Sequence, residues 1–242
     1  MKKDVKNRKL WFRIYKKMMH SRYKPVTFKY IDGEFADGSF IVSNHEGTDA
    51  PMSLEIRLNR KITMLGAHEM NSGFLAMYKY QTRVYYHEKK GWNLHLARAF
   101  CLLATPLTNL FYKGLNLIST YRDARFLITI KECIKTIQNG NSLAIFPEDS
   151  TNGYLSKLEG LHNGFLLICE TAFKKGLDIP VVPAYFNIKN RMYIFDKPVL
   201  YSELVEKYGS RNEISNYQLM KKIHLSRLTK RLSVAVAKRI YF

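Results

Sequence analysis

Apolar and polar positions along the chain fall into an alternation of strands and helices. Residues 40–43 (Phe-Ile-Val-Ser) form a short apolar run that breaks into a loop, and residues 51–58 follow with helical spacing. Residues 62–66 make a second strand-like run. Residues 126–138 repeat apolar side chains every three to four positions and stop at Asn139-Gly140, a pair suited to a helix C-terminus. Residues 142–146 read as a buried strand running into Pro147, and residues 164–174 as a helix closed by Gly176. Residues 181–186 are a further strand, with residues 192–195 as its partner. Strands separated by helices predict an α/β fold with a mostly parallel central sheet flanked by helices. No repeat or low-complexity linker divides the chain, so residues 26–242 are expected to form a single domain. Ligands of such sheets gather where strands end and loops begin, which directs attention to the residues after 43 and after 146.

Both ends of the chain add basic amphipathic helices to this expectation. The first 25 residues hold ten Lys/Arg against one acid, Asp4, with Trp11, Phe12, Ile14, Tyr15, Met18 and Met19 at near-helical spacing. Residues 217–240 carry Leu219, Ile223, Leu228, Leu232, Val234 and Val236 with no acid among them. The 242 residues bear a formal net charge of +19, which calls for an acidic counterpart such as anionic lipid, nucleic acid or coenzyme A. No nucleic-acid motif accompanies the charge, so nucleic acid is not the expected partner. Cys101, Cys133 and Cys169 form no Cys-x-x-Cys or Cys/His set. They read as reduced core residues of a cytoplasmic protein, and no metal is expected. The basic start lacks the apolar core of a secretory signal. The most apolar stretch, residues 97–118, is interrupted by Arg98, Thr105, Asn109 and Lys113, so no transmembrane helix is expected.

Two motifs carry candidate chemistry. The first is Asn44-His45-Glu46-Gly47-Thr48-Asp49-Ala50-Pro51. A histidine just past a buried strand, with an acid close behind, suits a general base whose tautomer a carboxylate fixes; Asp49 is the first candidate for that acid and Glu46 the second. The second motif is Phe146-Pro147-Glu148-Asp149-Ser150-Thr151. It sets polar groups at a strand end, where a substrate hydroxyl or phosphate can be held.

Taken in order with Leu65-Gly66-Ala67-His68-Glu69-Met70 and Ile179-Pro180-Val181-Val182-Pro183, these motifs resemble the PlsC-like glycerophospholipid acyltransferases, also called lysophosphatidate acyltransferases. The likeness covers residues 35–190. It implies transfer of a fatty acyl group from acyl-coenzyme A or acyl carrier protein to a hydroxyl of a lysophospholipid or related lipid, with no further cofactor. It also implies an enzyme on the inner face of the cytoplasmic membrane, held peripherally on an anionic surface. On that resemblance His45 matches the catalytic base and Asp49 its acidic partner. Glu148 helps organise the acceptor site with Ser150 and Thr151, and Arg122, or else Arg125, contacts the acceptor's phosphate.

The sequence departs from the family pattern in three places. Three residues rather than four separate His45 from Asp49. Asp149, Ser150 and Thr151 stand where the family has Gly, Thr and Arg, which adds a negative and removes a positive charge at a phosphate site; Lys157, His162 or Arg122 would have to compensate. Residues 69–117 form a long insertion rich in Tyr, Phe, Leu and Lys, read either as extra core helices or as a lipid-docking or acyl-chain element. A basic binding module without turnover, and a hydrolase that gives the acyl group to water, are the competing readings.

Overall fold

The computed structural model describes residues 9–60, 62–147 and 162–214. The expected C-terminal helix, the first eight residues and the corner at residues 148–151 lie outside them.

Eight strands form one mixed sheet: β1 (Thr27–Tyr30), β2 (Phe40–Ser43), β3 (Ile62–Ala67), β4 (Ile118–Thr120), β5 (Ser142–Ile145), β6 (Pro180–Asn187), β7 (Met192–Phe195) and β8 (Val199–Leu200). Their order is β1-β7-β6-β2-β5-β3-β4, with β8 alongside β6. β2 lies in the middle, parallel to both β5 and β6, and β3 continues the parallel run to β4. β6 and β7 form an antiparallel hairpin, as the pairing of residues 181–186 with 192–195 anticipates. All the strands parallel to β2 therefore end at one edge of the sheet.

Alternation along each strand builds two cores. Phe40, Leu143 and Val181 point to one face, where α5 (Phe126–Gln138), α6 (Gly164–Phe173) and α7 (Tyr201–Tyr208) cover them. Ile41, Ala144 and Val182 point to the other, beneath α2 (Asp49–Arg57). Strands covered on both faces need the near-continuous apolar runs seen in β2, β5 and β6. The helix α5 ends where the sequence indicates: Gly140, at φ +72°, adopts the left-handed turn and donates its N–H to Ile137 O.

The insertion between β3 and β4 is helical. After a short 3₁₀ turn it runs through α3 (Phe74–Lys79), continues as a π-helical segment (Tyr80–Lys89), and turns back along α4 (Leu94–Leu115). Asn93 caps α4 by accepting the His95 N–H at 2.9 Å. The N-terminal α1 (Leu10–Arg22) packs across the far end of α4, where Phe12 lies on Gly114 and meets Phe111 at a tilt. Near-helical spacing groups six apolar residues of α1 together, but they divide: Phe12, Tyr15 and Met19 turn inward, while Ile14 and Met18 are exposed. The helix α4 is long and apolar enough to cross a membrane by length and composition, the one such helix among the described residues.

Candidate active site

The site is laid out by Asn44. As β2 ends at Ser43, the Asn44 side chain takes over the pairing with β6: its Nδ2 donates to Phe186 O at 3.0 Å and its Oδ1 accepts from Phe186 N at 2.7 Å. Ser43 Oγ meets Tyr193 Oη at 2.7 Å beside it. The end of the strand is thus pinned before the chain leaves it, and the next side chain, His45, emerges in a fixed direction. Glu46 (φ +39°) and Gly47 (φ +61°) then fold the backbone tightly into the start of α2.

The His45 ring packs edge-on against Phe146, 5.5 Å between centroids, so the ends of β2 and β5 lie side by side. Its Nδ1 is sealed from solvent. Burial, opposed in part by hydrogen bonding to the Gly47 backbone and assisted by the positive charge of Lys89, lowers its pKa from 6.5 to about 4. The imidazole is therefore neutral through the physiological range.

The sequence pairs Asp49 with His45, but the structure gives the carboxylate other partners. Asp49 Oδ1 accepts from Tyr23 Oη at 2.8 Å and from Arg191 Nη1 at 2.7 Å. Arg191 comes from the β6–β7 turn at φ +49° and also donates to Lys24 O, while Arg57 donates to His20 O and Tyr23 O. This ties three distant segments, the end of α1, the start of α2 and the β6–β7 turn, into one wall. Burial, followed by the bond to Asp49, pushes Tyr23 up to about 12, so it stays protonated and donates. Asp49 is the first residue of α2, and Glu46 and Gly47, both at positive φ, lie between it and His45.

Arg122 lies exposed just beyond β4; burial, followed by Glu69, raises the Tyr80 pKa, and the Arg122 charge opposes that rise. Tyr80 lines the same cavity as His45, whereas Arg122 is not among the lining residues. Arg125 is committed to Asp123 at 2.7 Å and lies over the Tyr121 ring. Glu148, Ser150, Thr151 and Lys157 are outside the described residues; His162 donates its backbone N–H to Pro147 O at 2.7 Å, which brings the two sides of that segment together.

The cavity itself has a volume of about 470 Å³, within the range of small-molecule sites. His45, Gly47, Thr48 and the buried Glu55 are among its polar lining; Met19, Met52, Met64, Leu107, Phe111 and Leu117 supply much of its apolar wall. Tyr80 and Tyr85, from the insertion, also line it, and burial, followed by the charge of Asp49, raises the Tyr85 pKa. Sequence reasoning does not find Tyr23, Lys89 or Arg191, because each reaches the site only through the fold; Tyr80 and Tyr85 belong to the insertion that the sequence offers as an acyl-chain element. The three cysteines are free and buried, and burial pushes the Cys133 thiol up to about 12, which leaves it no thiolate character near neutral pH. Among the described residues no three His, Cys, Asp or Glu side chains gather as a metal set.

The fold and site define a mostly parallel α/β protein with an apolar cavity that ends at a histidine on the carboxyl edge of its sheet. No family model, curated protein or solved structure matches the chain.

Proposed function

We propose that the chain is an acyltransferase that moves a fatty acyl group from acyl-coenzyme A or acyl carrier protein to a hydroxyl of a lysophospholipid or related lipid, with His45 as general base. The observation that carries the reading is a neutral, fixed imidazole in a cavity whose wall is mostly apolar, with the phenols of Tyr23, Tyr80 and Tyr85 and the buried Glu55 also lining it. In this reaction His45 takes the acceptor's hydroxyl proton as its oxygen attacks the thioester carbonyl. The tetrahedral intermediate collapses, the C–S bond breaks, and the imidazolium returns the proton to the leaving thiolate. A positioned base whose pKa lies near the working pH is worth about 10²–10⁴ in rate, so His45, its pKa held at about 4 by burial, approaches that figure only as bound anionic groups raise it. An imidazole so hard to protonate needs anionic groups nearby when it becomes cationic; the developing oxyanion and the acceptor's phosphate supply them.

Asp49 is assigned a positioning role, holding the His45 loop against Tyr23 and Arg191. Glu148, Ser150, Thr151 and Arg122 are proposed to bind the acceptor. The cytoplasmic face of an anionic membrane is the proposed location, which places the enzyme beside its lipid substrate.

The test is turnover. Wild type and His45→Ala are given long-chain acyl-coenzyme A with a panel of lysolipids, and free thiol and acylated lipid are both followed. Acylated lipid formed by the wild type alone is the expected result. Thiol release without acylated lipid would assign a hydrolase, and the absence of any His45-dependent turnover would leave a lipid-binding module.

A further inference from the structure

The helix α4 has its polarity turned inside out. Leu96, Phe100, Leu103, Leu107 and Leu110 recur at i, i+4, i+7, i+11 and i+14 and are all exposed, Leu103 to 83%. On the opposite side Ala97, Cys101, Thr105 and Asn109 are buried, and Thr105 Oγ1 donates to Gln81 Oε1 at 2.9 Å. A helix packed on a domain buries its apolar stripe; this one faces it outward and spends its interior contacts on small and polar groups. The neighbouring α1 does the same on its outer side, where Leu10, Ile14 and Met18 are exposed with Lys9 and Lys17 beside them. At the turn where the insertion reverses, Trp92 packs with Tyr86 and Phe100, an amphipathic aromatic group of the kind that settles at a lipid headgroup boundary.

We propose that α4, flanked by α1, is a bilayer-docking face that lies in the plane of an anionic membrane and passes aliphatic chains into the His45 cavity. The charge decides the occupant. Exposed lysines beside an apolar stripe, on a chain of net charge +19, complement anionic headgroups. The helix lies along the surface rather than across it because its hairpin partner carries Lys79, Arg83, Glu88 and Lys89, which the bilayer core would reject. Leu107 supplies the connection: it is 59% exposed on the stripe and also lines the cavity. The docking deepens the lipid-acceptor reading and rests on it for what enters the cavity, but binding of the face to lipid is independent of turnover.

Flotation with phosphatidylglycerol/phosphatidylcholine vesicles, against phosphatidylcholine alone, tests it. The wild type is expected to float with the anionic vesicles. Leu96→Glu with Leu103→Glu, two exposed residues outside the cavity wall, is expected to lower the bound fraction about tenfold or more. Lys9→Glu with Lys17→Glu is expected to weaken the preference for anionic lipid. Independently of any change to α4, Trp92 fluorescence in a Trp11→Phe background is expected to be quenched by brominated lipid. Unaltered flotation of the leucine variant, or no quenching of Trp92, overturns the proposal. So does a dimer that the leucine variant dissociates while the wild type ignores vesicles, which would give the face to a second copy. A His45→Ala protein that floats normally, in a preparation whose wild type transfers no acyl group, sinks the enzymatic reading and leaves the docking face in place.

Discussion

Asn44→Ala should destabilise the protein by about 2–4 kcal/mol. The side chain is 3% exposed, and both its amide atoms pair with the Phe186 backbone. Truncation strands one buried N–H and one buried C=O, each costing about 1–3 kcal/mol when left without a partner, with the lower end reached if water fills the vacated space. Asn44→Asp discriminates further. As a carboxylate it still accepts from Phe186 N–H but sets a second oxygen against Phe186 O, so the folded state favours the protonated acid. That raises the folded-state pKa above the unfolded one, the folded state binds more protons, and the deficit relative to wild type shrinks as pH falls through the folded pKa. Urea unfolding followed by circular dichroism, at a series of pH values from 8 to 5 for all three proteins, measures both effects. An Asn44→Ala cost below about 0.5 kcal/mol, or an Asn44→Asp deficit independent of pH, would refute the assignment of Asn44 as the side chain that extends the β2–β6 ladder.

Three further outcomes follow from the same geometry. The acid limb of kcat/KM should fall near pH 4 rather than 6.5; because unfolded His45 binds its proton first, wild-type stability should drop by at most about 3 kcal/mol between those values, and His45→Gln should remove that part of the slope. Asp49→Asn, Arg191→Ala and Tyr23→Phe should each lower kcat without moving the acid limb, since all three loosen one wall; an Asp49→Asn effect unmatched by Arg191→Ala, with a shifted limb, would return Asp49 to direct contact with the imidazole. Gly114→Ala sets a Cβ into the Phe12 ring, closer than van der Waals contact allows, and should cost about 1–3 kcal/mol, whereas in a Phe12→Ala background it should turn stabilising by up to about 1 kcal/mol through helix propensity; a double-mutant cycle in urea reads the change of sign.

What could be read from the sequence depended on how local its cause was. The helix at 126–138 and the strands after it were legible because period, stop signal and apolar runs all act within a few residues. His45 was legible because its position after a buried strand is local too. The partners of Asp49 were not: Arg191 is 142 positions away and Tyr23 is 26, and no pattern in either segment marks them as meeting there. Asn44 was visible as half of a motif, yet its two bonds to Phe186 depend on β6 lying beside β2, which only the sheet order supplies. Tyr80 and Tyr85 reach the cavity from a π-helical segment that periodicity at 3.6 residues cannot represent.

The helix α4 shows why a pattern can be correct while its orientation stays hidden. Arg98, Thr105, Asn109 and Lys113 look like interruptions of an apolar run, and their presence argues against a span. In the fold Thr105 and Asn109 lie on the inner side, Thr105 bonded to Gln81, while Arg98 and Lys113 are exposed. The spacing of apolar residues fixes where a stripe runs along a helix and says nothing of what lies on either side of it. Which side is the interior was decided by Gln81 and by the Phe12–Gly114 contact, both supplied by other elements. Once these claim the polar and small side of α4, its leucines have no place left inside the domain. An exposed row of this length is costly in water unless something apolar covers it. That cost, set beside the lysines of α1, is the physical reason to look for this protein on a lipid surface.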